Sequence, residues 1–247
     1  MTRVYALWAW FIMITGLSVH VGFVWLTRWL VSPAKRESYS AYTAHVFLRV
    51  MTRLCGIRVR LKMTQALEKP VLIIANHTSH FDILSLMIAF REPILFVAKV
   101  SLFKLPILGQ EMRLKGDLCI HRDNRRQSLK VLNSIPACLA AGRSVVIFPE
   151  GTRSPTGDLG NFYPAIFSIA YQQAMPLLPV ILRGTRRIIP KSGWRIARGT
   201  ASVEVLPIVD PRHYETATAL RTDVWNQMHH ALNQDLNQDL NQGINTR

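Results

Sequence analysis

At 247 residues the chain can hold one sizeable domain or two small ones. It is 49% hydrophobic, and 30 Lys plus Arg against 15 Asp plus Glu leave a net charge of +15, which calls for an anionic partner: nucleic acid, an anionic membrane or a phosphate-bearing substrate. The three cysteines, Cys55, Cys119 and Cys138, are odd in number and form no CxxC pair, which excludes a disulfide framework and a Cys-rich zinc site and suits a reducing compartment.

Residues 4–27 hold no Lys, Arg, Asp or Glu. About 20 such residues, as a helix, cross a hydrocarbon core. The run is too long for a signal-peptide core and lacks a clear Ala-x-Ala end, so it reads as an uncleaved anchor, with Trp8, Trp10 and Trp25 towards its ends. A buried core helix would show the same run. Arg3 alone precedes it, whereas Arg28, Lys35, Arg36, Arg49, Arg53, Arg58, Arg60 and Lys62 follow, which predicts that everything after residue 28 is cytoplasmic. Within 41–57, Val46, Phe47, Val50, Met51 and Leu54 share a helical face and Arg49 and Arg53 point away. That pattern predicts an interfacial helix beside anionic headgroups, or a second helix packed on the first as a hairpin.

The rest alternates strand and helix signals. Strands are expected at 71–75, 94–99, 118–122, 144–149, 177–182 and 201–207. Helices are expected at 82–90, at 126–141 with a disturbance at Pro136, at 162–174 and at 217–234. Continuous apolar strands with helices between them predict an α/β domain with a largely parallel sheet flanked by helices. The expected division is 1–62 as membrane anchor and amphipathic helix, 63–215 as the α/β domain, and 216–247 as a C-terminal helix and polar tail. The tail repeats Asn-Gln-Asp-Leu at 233–236 and 237–240, as a polar helix extension or a disordered end.

Asn76-His77-Thr78-Ser79-His80-Phe81-Asp82 joins the first expected strand to the first expected helix. His77 falls in the turn and Asp82 in the first helical turn, so the two can meet. Asp82 would then fix the imidazole tautomer and leave the other nitrogen free as a base. Equally, Asp82 can complete a capping box with Ser79, His77 being a plain turn residue. Phe148-Pro149-Glu150-Gly151-Thr152-Arg153-Ser154 closes another strand. Backbone N–H groups around Gly151 and Thr152 can cradle an anion, Arg153 can bond a phosphate in bidentate fashion, and Glu150 can aim Arg153; an ordinary turn with a solvated Arg fits as well. Lys99 and Arg122 end two more strands, as a phosphate site on one sheet edge would require, although single surface charges are commoner. Pro179 inside an apolar strand marks an edge or a bulge, or shapes an acyl channel. His77, His80 and Asp82 match no usual zinc spacing, and Cys119 beside His121 reads as an inert core thiol.

Asn-His-x-x-x-x-Asp, Gly-x-x-x-Ile-x-Arg, Phe-Pro-Glu-Gly-Thr-Arg-Ser and a Pro-Val strand, in that order over roughly 70–185, resemble the glycerolipid acyltransferases of the 1-acyl-glycerol-3-phosphate acyltransferase (PlsC-like) family. The resemblance implies transfer of a fatty acyl group from acyl-CoA or acyl-carrier protein to a lysophospholipid hydroxyl. It implies that His77 is the base and Asp82 its partner. It also implies that Arg122, Glu150, Gly151, Thr152 and Arg153 bind or organise the acceptor phosphate, with Lys99 as a helper. No metal or other cofactor is required, and the chain would work on the cytoplasmic face of an anionic membrane, the inner membrane if bacterial. Two departures stand out: Phe162-Tyr163-Pro164-Ala165 replaces the family's Phe-Lys-x-Gly, and His121 stands where many members carry Asp before Arg122. Another lysolipid acceptor is one alternative. The other is a non-catalytic membrane protein binding anionic lipid or nucleic acid, motivated by Arg183, Arg186, Arg187, Lys191, Arg195 and Arg198 but lacking any nucleic-acid recognition signature.

Overall fold

The structure is a computed structural model that describes residues 2–63, 70–121 and 123–244, with side chains from 3 to 234 within them. Helix α1 (Thr2–Thr27) turns back through two short 3-10 turns into α2 (Arg36–Leu54). Then follow β1 (Ile57–Met63), β2 (Leu72–Ala75), α3 (Phe81–Ala89), β3 (Ile94–Lys99), α4 (Val100–Phe103), α5 (Leu108–Lys115) and β4 (Leu118–Ile120). The chain continues as α6 (Arg125–Leu132), α7 (Ile135–Ala140), β5 (Ser144–Ile147), α8 (Pro164–Gln172), β6 (Leu177–Arg183), α9 (Thr185–Ile188), β7 (Gly199–Val205) and α10 (Ala217–Ile244).

The seven strands form one sheet in the order β1-β7-β6-β2-β5-β3-β4. β6, β2, β5, β3 and β4 are mutually parallel; β7 pairs antiparallel with β6, and β1 lies parallel to β7. The central strands read as unbroken apolar runs because both their faces are covered. Leu72, Ile74, Val145, Ile147, Leu177 and Ile181 face α7, α8 and α10. Ile73, Ala75, Val146, Leu178, Val180 and Leu182 face Leu86 and Phe90 of the α3 side.

Three local differences from the sequence expectations stand out. Ile57–Met63, which the sequence reading leaves in the N-terminal segment, is an edge strand of the sheet, so that segment's boundary at 62 falls inside β1. The expected helix 126–141 is two helices: Pro136 has no N–H to give the Leu132 carbonyl four residues back, and α6 ends at Leu132. Pro179 sits in β6, between β2 and β7, rather than at a sheet edge. Its carbonyl accepts from Leu206 N at 3.0 Å, so its donor-less nitrogen faces the same side, where β7 has just ended. The polar repeat at 233–240 continues α10 as helix.

The N-terminal helices lie along the body of the molecule. α1 runs antiparallel to α2: the Tyr5 hydroxyl donates to the Cys55 carbonyl, His20 meets Thr43 at 3.1 Å, and Tyr39 meets Thr27 at 2.9 Å. α2 is held to the domain by buried Thr43, Ala44 and His45 and by Glu37 bridging to Arg143 at 3.5 Å. α1 is long and apolar enough to cross a membrane, yet its outward face stays uncovered, with Phe11 68%, Trp25 63% and Leu26 70% exposed.

Candidate active site

β2 and β5 are neighbours, but the chain leaves them towards opposite faces: β2 feeds α3 on one side and β5 feeds α8 on the other. Where connections diverge this way, a crevice opens beyond the strands' C-terminal ends. The two motif loops, 76–80 after β2 and 148–163 after β5, line it.

The β2 loop is pinned before it turns. Asn76, buried, donates through Nδ2 to the Leu182 carbonyl at 3.0 Å and accepts from Leu182 N at 2.7 Å, so its amide continues the ladder to β6. His77 comes next. Its Nδ1 lies 2.8 Å from Asp82 Oδ2, and the His77 side chain is 13% exposed while that of Asp82 is 0% exposed. The same oxygen accepts from Thr78 N at 2.7 Å and Ser79 N at 2.8 Å. Asp82 thus meets the imidazole, so His77 is more than a plain turn residue, and it also accepts from the Ser79 N–H. Ser79 is not the cap residue, which is His80; its hydroxyl accepts from Phe81 N and donates to the Ile189 carbonyl at 2.6 Å. With Nδ1–H donating to a carboxylate, the lone pair sits on Nε2, the atom left for chemistry.

The β5 loop closes over this turn. The Phe148 ring stacks on the His77 ring, centroids 4.0 Å apart and planes 17° apart, which fixes the imidazole plane. Glu150 Oε1 accepts from His77 N at 2.7 Å and Oε2 accepts from Gly160 N at 3.0 Å. Burial, only partly offset by these two bonds and assisted by the charge of Asp82, pushes the Glu150 carboxyl up to about 7. Glu150 thus lies beneath the crevice as a brace between its walls and does not aim Arg153. Ser154 N adds a second tie, to the His77 carbonyl at 2.7 Å. Gly151 has φ +67°, which favours glycine, and an added Cβ would meet the Tyr163 ring at 2.6 Å and have to displace it.

The cations take different positions. Arg153 is half-buried and donates through Nη1 to the Lys191 carbonyl at 3.0 Å. Burial first, then the Arg153 charge, pushes the His80 imidazole down, which sets Arg153 beside the β2 turn. Lys99 is exposed where β3 ends, and Thr152 is exposed after Gly151. Arg122 lies outside the described residues. Cys119 Sγ is 4.0 Å from His121 Nε2, and burial pushes its thiol up, which fits an unreactive thiol. Among the described residues no cluster of His, Cys, Asp and Glu could hold a metal ion. Of the apolar stretch after Lys99, Leu102, Phe103 and Leu108 form a small core with Met112, while Leu105 and Ile107 are exposed. Sequence reasoning does not find Thr185, whose hydroxyl lies 3.0 Å from that of Thr78, or the Ile189 carbonyl; no local signal marks contacts that span more than a hundred residues.

A family model described as Acyltransferase matches residues 56–183, from the residue before β1 to the end of β6. A 1-acyl-sn-glycerol-3-phosphate acyltransferase of Chlamydomonas reinhardtii is 40% identical over 123 residues, which are 50% of this chain and 37% of that protein. The chain thus spans well under two thirds of that relative. A Pseudomonas aeruginosa protein of the same name is 34% identical over 62% of this chain and 59% of its own length. One from Salmonella typhimurium is 30% identical over 75% of each. In fold, the chain resembles the crystal structure of the 1-acyl-sn-glycerophosphate acyltransferase PlsC from Thermotoga maritima, with a TM-score of 0.83, 24% identity, and 94% of this chain and 95% of that one covered. On the extent of the family match and the Salmonella alignment, this chain belongs to the acyltransferase family.

Proposed function

We propose that the chain moves a fatty acyl group from an acyl thioester, carried by coenzyme A or a carrier protein, to the free hydroxyl of a lysophospholipid, with 1-acyl-glycerol-3-phosphate as the acceptor. The observation that carries this reading is the His77–Asp82 pair at 2.8 Å, set in the crevice between β2 and β5. Nε2 takes the acceptor's hydroxyl proton as the oxygen attacks the thioester carbonyl. The tetrahedral oxyanion collapses, the C–S bond breaks, and the leaving thiolate takes the proton back from Nε2. Asp82, buried and negative, stabilises the imidazolium between these steps. The acceptor phosphate is met by Arg153, with Lys99 at the end of β3 and the Gly151–Thr152 backbone below, and with Arg122 as a further cation. No metal or prosthetic group takes part in this scheme.

An amphiphilic acceptor explains the N-terminal hairpin. Because α2 is fixed to the domain and α1 lies along α2, the uncovered apolar face of α1 sits in one leaflet, with the domain on the cytoplasmic side. Tyr163 and His121, the two departures from the family pattern, favour as a second reading a different lysolipid headgroup.

One experiment tests both readings. Membranes holding the wild-type chain or His77→Ala are given labelled acyl-CoA, then labelled acyl-carrier protein, with a panel of lysolipids. The expected result is acylated 1-acyl-glycerol-3-phosphate from the wild type, and a loss of roughly 10²–10⁴-fold in the variant at equal protein. An active His77→Ala chain would overturn the mechanism; preferential acylation of another lysolipid would select the second acceptor.

A further inference from the structure

The rim that carries His77 continues past β6 to a second basic site. β7 and β1 run opposite to the other five strands, so their N-terminal ends share the rim with the C-terminal ends of β6, β2 and β5. Three strand spacings, roughly 14 Å, separate β2 from β1. There a cavity of about 760 Å³ opens between the end of α2 and the first residues of β1 and β7, lined by Arg53, Gly56, Arg58, Gly199 and Thr200. Gly56, at φ +62°, ends α2: its N–H donates to the Arg53 carbonyl at 2.8 Å and its carbonyl accepts from Gly199 N at 3.3 Å. Two of the five lining residues thus offer bare backbone, which a ligand can approach closely.

Arg198 supports this end. Its stem lies against Gly56, where an added Cβ would come within 3.2 Å of Cγ and Cδ, and its guanidinium stands 5.0 Å from the centre of the Tyr5 ring. Among the described residues no carboxylate pairs with Arg53 or Arg58. Two guanidiniums on one cavity without a counter-ion favour an anion, and Arg suits phosphate. Exposed apolar side chains lie close by along the chain: Val50 and Leu54, three residues before and one after Arg53 on α2, are 46% and 54% exposed, and Leu7, two residues after the Tyr5 whose hydroxyl meets the Cys55 carbonyl, is 63% exposed. An anion site against an uncovered apolar surface fits an anion that carries acyl chains better than one that does not.

The geometry points to a binding site for the headgroup of an anionic phospholipid, with its phosphodiester on Arg53 and Arg58 and its chains along Val50, Leu54 and Leu7. The site is distinct from the His77–Asp82 pair. It rests on the membrane reading above and not on the reaction. Its occupant holds the molecule with the rim turned to the leaflet, so that the crevice faces lipid.

Flotation of the purified full chain with phosphatidylcholine vesicles, with and without phosphatidylglycerol, tests it. The double variant Arg53→Gln/Arg58→Gln is expected to lose on the order of tenfold or more in affinity for the anionic vesicles and nothing for the neutral ones. Arg125→Gln/Arg126→Gln removes the same charge from exposed α6 and is expected to bind as the wild type does. Equal losses in both doubles would reduce the effect to net charge and overturn the site. Release of the wild type by inorganic phosphate at constant ionic strength would assign the cavity to a free anion and overturn it too. Should the Arg double fail to fold, Thr200→Glu puts a carboxylate at the cavity wall and is expected to cause the same selective loss; unchanged binding would count against the site. Flotation needs no acyl transfer, so its failure leaves the acyltransferase proposal standing, and an inactive chain leaves flotation informative.

Discussion

The first turn of α3, after β2, and the loop after β5 each bury a carboxylate, but only one of the two meets an ionisable base. Asp82 accepts from two backbone amides and from the His77 ring, all through one oxygen. Glu150 accepts from two backbone amides alone, one per oxygen, with no ion-pair partner among the described residues. The same functional group is thereby given two tasks. Asp82 sets the imidazole tautomer and, in the proposed reaction, answers the charge that forms on it. Glu150 joins the walls of the crevice, and its ionisation is opposed by its burial.

The sharpest way to break this comparison is to neutralise each carboxylate with its amide. Asp82→Asn should cost most, roughly 10²–10⁴-fold in turnover. His77 Nδ1 and the Thr78 and Ser79 amides all bond Oδ2, so the Asn oxygen that stays there keeps all three, and the new NH₂ takes the place of the unpartnered Oδ1. The turn and the imidazole orientation then stay, and what is lost is the negative charge that would stabilise an imidazolium. Steady-state kinetics beside a thermal melt check this: a fall in turnover with an unchanged KM and an almost unchanged melting temperature is expected. A loss of folding instead would mean that Asp82 is only a cap.

Glu150→Gln should cost less, up to about 10²-fold, because it loosens a support and removes no reacting group. Its distinguishing mark is pH. Between pH 4.5 and about 7 the folded chain keeps a proton on Glu150 that the unfolded chain has released. The stability due to this group therefore falls as pH rises through that window, by on the order of 3 kcal/mol, and is level above it. Activity should move the other way, since the ionised carboxylate holds the His77 and Gly160 amides more strongly. Urea midpoints and turnover measured across the window should show these opposed slopes in the wild type, and both should flatten in Glu150→Gln. Parallel slopes in the two proteins would remove Glu150 as their source.

The two carboxylates also differ in how far their surroundings can be read along the chain. His77 and Asp82 are five residues apart, so a strand-turn-helix pattern is enough to bring them together. Glu150 reaches His77 across 73 positions, and Ser79 reaches Ile189 across 110; nothing beside those residues in sequence marks the pairing. The fold shows the same divide. β2, β5 and β6 stand out as apolar runs because both faces are buried. β1 alternates Ile57, Val59, Leu61 and Met63 with Arg58, Arg60 and Lys62, a period-two signal whose basic half reads as part of the charged N-terminal segment. The antiparallel turn of β7 and β1 has no sequence signature at all, yet it carries the Arg53–Arg58 cavity to the same rim as His77.

The smallest of these effects belongs to the turn that carries Glu150. Gly151→Ala meets two obstacles, a backbone at φ +67° and the Tyr163 ring 2.6 Å from the new Cβ. The backbone strain alone should destabilise the fold by about 1–3 kcal/mol. Tyr163 is 66% exposed, so its ring can swing outward, and the steric part should be the lesser one. The double variant Gly151→Ala/Tyr163→Ala separates the two: relief of most of the loss would place the cost in the ring contact, whereas persistence places it in the backbone. Persistence is the expected outcome, with turnover following the displacement of Glu150 one residue away, because a carboxylate that braces through backbone amides holds the base only as well as its own turn is held.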